Sequence, residues 1–151
     1  MSIPTEPIGS IPRPPTLIEG MQRFAAGSIS ENELNSLYEA AIIDTIKRFE
    51  ETGSPVITDG EQRKSSFATY PLSGLDNLAS DGAVIPFADG HTRQLPRLAS
   101  GPFRYKIHAD EYLTAAMQHA HVPVKQAIIS ASALSLLYRS EERRVGKECR
   151  L

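Results

Sequence analysis

The sequence predicts an α/β fold in which helices cover a parallel sheet. Three observations lead there: a long capped amphipathic helix across residues 30–53, an apolar run just after it that ends in Asp59-Gly60-Glu61, and a strand, helix, strand succession across residues 103–130. Two strands joined by so short a helical crossover pair in parallel with a right-handed connection.

The long helix is the clearest element. Ser30 followed by Glu33 is a capping-box signature. Leu34, Leu37, Tyr38, Ala41, Ile42, Thr45, Ile46 and Phe49 recur at i, i+3, i+4 and i+7 and draw one broad apolar stripe. Glu31, Glu39, Asp44, Lys47, Arg48 and Glu51 face away from it, and Gly53 ends it. Before it, "TLIEGMQRFAAG" (16–27) places Leu17, Met21 and Phe24 at helical spacing and stops at Gly27, which suits a C-cap. The first 16 residues carry five prolines, so this arm is extended or turned. Within it, Gly9 lets the backbone of Ile8-Gly9-Ser10 approach a ligand closely; the alternative is a lead-in that packs on the domain surface.

After Pro55, "PVIT" reads as a strand under the long helix. Residues 71–102 lack a sustained period and are broken by Gly, Pro and Asp, which argues for a functional excursion or an embedded hairpin, with strand pieces at "AVIPFA". "FRYKIHA" (103–109) reads as a strand, Asp110 as the cap of a helix over "EYLTAAMQHAH", and "VPVKQAIISAS" as the next strand, with "ALSLLY" starting another helix. The last 13 residues, 139–151, hold eight charged side chains and break the pattern; they read as a non-native tail, or else as a solvated basic terminus.

Composition excludes several classes. At 151 residues, with 40% hydrophobic and 23% charged residues, the chain is globular and large enough for one core. A net charge of -2 offers no field for nucleic acid or anionic lipid. No run reaches membrane-span length and the N-terminus has no secretory pattern, so the expected address is the cytoplasm. The single Cys149 excludes an intrachain disulfide framework and a thiolate-rich zinc site.

The candidate chemistry gathers at Asp59-Gly60-Glu61. Loops beyond the carboxyl ends of parallel strands carry ligand groups because the sheet fixes where the strand stops. Gly60 turns the chain sharply, Glu61 stands ready to pair with a ligand ammonium group, and Arg63 either holds Glu61 or meets a carboxylate. The alternative is an ordinary Asp-Gly turn with surface charges. His119 and His121, at i and i+2, point apart on a helix and make no metal site; His91 and His108 with Asp110 need no function beyond the surface. Ser130, Ser132 and Ser135 either line a pocket or are small residues of a strand-to-helix turn. No nucleophile elbow, zincin motif, P-loop or dinucleotide fingerprint is present.

"EPIGSIPRP", "VITDGEQRKSSFATY" and "VPVKQAIISASALSLLY", in that order, resemble the cobalamin-independent methionine synthase family, in its C-terminal catalytic barrel and its short single-barrel relatives. The similarity covers residues 5 to about 138 and implies an incomplete TIM (β/α)8 barrel with three of the eight strands. It divides the chain into an arm (1–16), the N-terminal part of a barrel (17–138) and the tail (139–151).

The resemblance further implies methyl transfer from methyltetrahydrofolate to the thiol of zinc-bound homocysteine in the full-length parent. Ile8 and Ser10 match the segment that contacts the amino-acid part of homocysteine, and Glu61 matches the glutamate that binds its ammonium group, with Asp59 and Arg63 in support. The zinc ligands lie on later strands, so this chain is expected to bind no metal, to hold no catalytic residue and to be inactive alone, with any complementing barrel fragment unknown. The competing readings are a uroporphyrinogen-decarboxylase-like barrel piece for another substrate, and a small non-catalytic α/β binding domain.

Overall fold

The computed structural model describes residues 5–100 and 103–137. Cys149 and the charged tail lie outside them. The chain divides into two compact units, one from Met1–Phe67 and His108–Ala127, the other from Ala68–Ile107 and Ile128–Leu151.

In the first unit, helix α1 spans Pro15–Ala25 and α2 spans Glu31–Glu51. Pro15 occupies the first turn of α1, where its missing N–H costs nothing. The helix ends in a Schellman turn: the Gly27 N–H donates to Phe24 O at 2.9 Å and the Ser28 N–H to Arg23 O at 2.8 Å, with Gly27 at φ +70°. The capping box of α2 is formed, with the Ser30 N–H donating to Glu33 Oε2 at 2.8 Å and the Glu33 N–H to Ser30 Oγ at 3.3 Å. The predicted apolar stripe is the buried face of α2, and it serves two partners. Leu34 and Ala41 pack with Leu17 and Ile29, while Ile42 and Ile46 pack with Ile57 and Ala116. Phe24, expected on the apolar spacing of α1, is instead exposed.

"PVIT" and "VPVK" meet in parallel, but over a single bridge. The Ile57 N–H donates to Pro123 O and the Lys125 N–H to Ile57 O, both at 2.9 Å, which pairs Ile57 with Val124. Helix α3, Ala109–Met117, lies on the crossover between them and sets the fully buried Ala116 against Ile57.

The expected strand at 103–109 is not there. Its Phe103 and Tyr105 rings pack edge to face with centroids 5.0 Å apart, and the parallel neighbour of Ile57 is Val124 instead. A period of two in side chains makes a strand only when a backbone partner lies alongside. The expectation of three barrel strands therefore reduces, among the described residues, to two segments joined by one bridge. Nor does Asp110 cap α3: His108 is the N-cap, in extended backbone, and its N–H donates to Glu111 Oε1 at 3.1 Å.

The second unit contains the embedded hairpin. Strands β1 (Leu78–Ala79), β2 (Val84–Pro86), β3 (Thr92–Gln94) and β4 (Arg97–Leu98) form two antiparallel pairs, β2 with β3 nested inside β1 with β4. The tip turns at Gly90, φ +88°, and the Phe87 and His91 rings stack across it at 4.3 Å. Leu95 and Leu98 are buried behind it. Helix α4, Ala131–Leu137, follows Ser130, whose Oγ accepts the Ala133 N–H at 3.2 Å. Ser130 thus acts as a helix cap.

Candidate functional site

Residues 58–64 follow the carboxyl end of the first parallel segment, and the N-terminal arm is strapped across them. Thr58 Oγ1 donates to Gly9 O at 3.1 Å, and the Ile11 N–H donates to Gly60 O at 3.1 Å. The Arg13 guanidinium donates to the carbonyls of Gln62 (2.9 Å), Glu61 (3.3 Å) and Lys64 (2.6 Å). Farther out, Ser54 Oγ donates to Thr5 O and the Lys125 ammonium meets Glu6, each within 2.8 Å. The prolines keep the arm extended, so these contacts hold it as a strap against the loop rather than as a helix.

The loop itself is strained and buried. Gly60 and Glu61 both adopt left-handed backbone, at φ +66° and +55°. Glycine does so freely, but glutamate does so at a cost, and a strained polar residue of this kind marks functional loops. Asp59 Oδ1 accepts the Glu61 N–H at 3.0 Å and stabilises the turn. Thr58, Asp59, Glu61, Gln62 and Lys64 are all at most 5% exposed. Gly9 abuts the carboxylate so closely that a Cβ there would lie 3.2 Å from Glu61 Oε1 and 3.4 Å from Ala127 Cβ. Here the absence of a side chain lets the arm approach Glu61.

Lys64 is the buried cation of the site, a role that its place in the sequence does not announce. Its Nζ donates to Ala127 O at 2.8 Å, lies 3.7 Å from Glu61 Oε1 and sits 5.6 Å from the centroid of the Tyr112 ring on α3. Burial raises the Glu61 pKa above the usual carboxylate range, opposed chiefly by Lys64 and reinforced by Asp59. Burial likewise lowers the Lys64 pKa, opposed by Glu61 and then Asp59. The Tyr112 hydroxyl is pushed up by burial and next by Glu111. Asp59 Oδ2, Gln62 Oε1 and both polar atoms of Gln126 are buried without a hydrogen-bond partner among the described residues. Such atoms are costly unless something else satisfies them.

Of the residues singled out from sequence, Asp59 and Glu61 stand together in this loop, and Ile8 and Ser10 flank the Gly9 that touches Glu61. Both Ile8 and Ser10 are exposed. Arg63 turns the other way: its guanidinium donates to Asn35 Oδ1 at 2.9 Å and lies 5.2 Å from the Tyr38 ring centroid, so it ties the loop to α2. The partner cation of Glu61 is Lys64, three residues on. The histidines serve local structure. His91 pairs with Asp89, His119 lies 3.6 Å from Glu39, and His121 meets Glu50, whose carboxyl its backbone N–H holds below the usual range. Among the described residues no three His, Cys, Asp or Glu side chains cluster to hold a metal. No helix among the described residues is long and apolar enough to cross a membrane.

A parallel seam with helices packed on it and a polar loop beyond its carboxyl end is the layout of a barrel-type α/β fold, present here in part and unclosed. Solved structures share it. A B12-independent methionine synthase from Shewanella sp. in complex with selenomethionine superposes on 93% of this chain and 43% of its own, with a TM-score of 0.67 at 18% identity. A putative vitamin-B12 independent methionine synthase from Listeria monocytogenes covers 79% of this chain and 38% of its own, with a TM-score of 0.51 at 19% identity.

Among curated proteins, the chain is similar to methionine synthases. It is 29% identical over 92 residues to that of Sulfolobus acidocaldarius and 28% identical over 113 residues to that of Sulfurisphaera tokodaii, which amounts to 61% and 75% of this chain. It spans only 27% and 33% of those relatives. No family model matches it.

Proposed function

We propose that the chain is the N-terminal part of a cobalamin-independent methionine synthase-like barrel, and that Glu61 binds the ammonium group of an amino-acid substrate, homocysteine in the parent. One observation supports this reading above the others: a buried carboxylate, held in left-handed backbone at the end of a parallel segment, lies directly under Gly9 of the arm. Ile8 and Ser10 border the same approach, Asp59 shapes the turn, and Arg63 braces it against α2. An ammonium group docked on Glu61 is fixed in direction, which orients the rest of the amino acid for reaction with a methyl donor of the methyltetrahydrofolate type.

In the parent family zinc binds the substrate thiol. Its ligands in the family lie on later strands, so the chain by itself is an inactive portion of such an enzyme, the parent acting in the cytoplasm on small molecules rather than on nucleic acid or a membrane.

The test is made on the purified 151-residue chain. It should hold no stoichiometric zinc and transfer no methyl group; either property would overturn the reading as an inactive portion. In NMR titrations methionine should perturb Gly9 and Glu61 whereas N-acetylmethionine should not, and Glu61→Gln should weaken methionine by about tenfold or more, as loss of a charge-assisted contact implies. Equal binding of both compounds would remove the ammonium assignment.

A further inference from the structure

We propose that Lys64 is a positioning residue of this site: an internal ammonium that balances one of the two buried carboxylates, so that the site accepts one further positive charge. The inference rests on the reading of Glu61 as an ammonium-binding carboxylate.

Three ionisable side chains are buried together in this loop. Asp59 is 1% exposed, Glu61 5% and Lys64 0%. Two carboxylates alone in such a place do not both ionise, because their mutual repulsion and the loss of hydration keep a proton on one of them. A protonated Glu61 carries no charge with which to hold an ammonium group. When all three are ionised, Lys64 offsets one of the two carboxylate charges, and a single ligand cation offsets the other.

The geometry suits a balancing role better than a blocking one. Lys64 is anchored elsewhere, with its Nζ on the Ala127 carbonyl at 2.8 Å and beside the Tyr112 ring. At 3.7 Å from Glu61 Oε1 it is near enough for charge attraction and beyond hydrogen-bond distance. It therefore offsets the charge of that carboxylate while its short hydrogen bond goes to the Ala127 carbonyl. The Ala127 carbonyl belongs to the second parallel segment and Tyr112 to α3, so the position of the ammonium is set by two elements remote from its own loop. Asp59 Oδ2, buried and without a partner among the described residues, is a second acceptor left for a ligand donor. The groups facing Glu61 are Asp59 and Lys64 from its own loop, the Phe67 backbone N–H, the Gly9 backbone from the arm and Ala127 from the second segment; Tyr112 faces Lys64 from α3.

The test begins without ligand. In carboxyl-detected NMR of the full chain, Lys64→Met should raise the Glu61 titration midpoint by about one pH unit or more, a tenfold change in proton affinity, and Lys64→Arg should restore it. An unmoved midpoint in folded Lys64→Met overturns the proposal. Should that variant fail to fold, Glu61→Gln serves instead: the Lys64 ammonium should then titrate about one unit lower, and no change overturns it.

With methionine as probe, Lys64→Met should bind about tenfold more weakly at neutral pH and recover as pH rises through the new Glu61 midpoint. Unchanged or tighter binding makes Lys64 a structural residue or a competitor and overturns the proposal. If wild-type chain ignores methionine while the ligand-free midpoints move as stated, the ammonium assignment of Glu61 fails and the charge balance stands.

Discussion

Gly60 and Glu61 show how one turn sets a site. The Asp-Gly pair marks a sharp turn from sequence alone, and the structure makes the requirement specific. A Cβ on Gly60 would lie 2.8 Å from Ile11 Cγ1 and 2.9 Å from Thr45 Cγ2, at φ +66°. Gly60→Ala thus meets both a backbone penalty and a clash with the arm and α2. Its expected cost is about 1–3 kcal/mol, to be read as a lowered midpoint in urea denaturation, and a neutral effect would mean that the arm does not press on the turn. Lys64 was not legible in the same way. In a loop, i and i+3 residues have no fixed relation, and its burial depends on a carbonyl 63 positions away. Arg63, the basic residue nearer to Glu61 in sequence, was the natural expectation, yet it found Asn35 and Tyr38 on α2 first.

At the scale of elements, α1 and α2 follow the sequence closely and the strands do not, while α3 spans Ala109–Met117 instead of running on to His121. Ser30 and Glu33 cap α2 as the motif implies, and Ser30→Ala should cost about 1 kcal/mol, measurable as a lower thermal midpoint, with Ser30→Asp as the control that keeps the cap. Helical order rests on bonds between residues four apart, so spacing and caps determine it locally. A strand has no such bonds within itself. "FRYKIHA" has the alternation of a strand and no partner, whereas "AVIPFA" becomes β2 because a tight turn returns β3 to its side. Of the two alternatives for residues 71–102, a functional excursion or an embedded hairpin, the hairpin forms for that reason: its partners are close in sequence. Ser130, left open between a pocket and a turn, became a helix cap because its Oγ meets the Ala133 N–H.

Within the first unit, Ile57 is the residue through which its helices and its parallel seam communicate. Fully buried, it packs with Ile42 and Ile46 of α2 and Ala116 of α3 while its backbone pairs with Val124. Ile57→Ala should cost about 2–5 kcal/mol, comparable with the whole stability of a small domain. Equilibrium denaturation of this variant, followed by its methyl NMR signals, should show the Ile42, Ile46 and Ala116 environments lost together; independent losses would mean that the seam does not couple the helices.

The sequence by itself determined the helices α1 and α2, the capping box of α2, the glycine that ends α1, the apolar face of α2 and the Asp59-Gly60-Glu61 turn, all of which depend on residues within a few positions of one another. Only the tertiary structure decided that residue 57 pairs with residue 124, that the arm lies over Glu61 through Gly9, and that Lys64 is sealed beside two carboxylates. Those depend on contacts between segments tens of residues apart, where many pairings suit the same local pattern and packing selects among them.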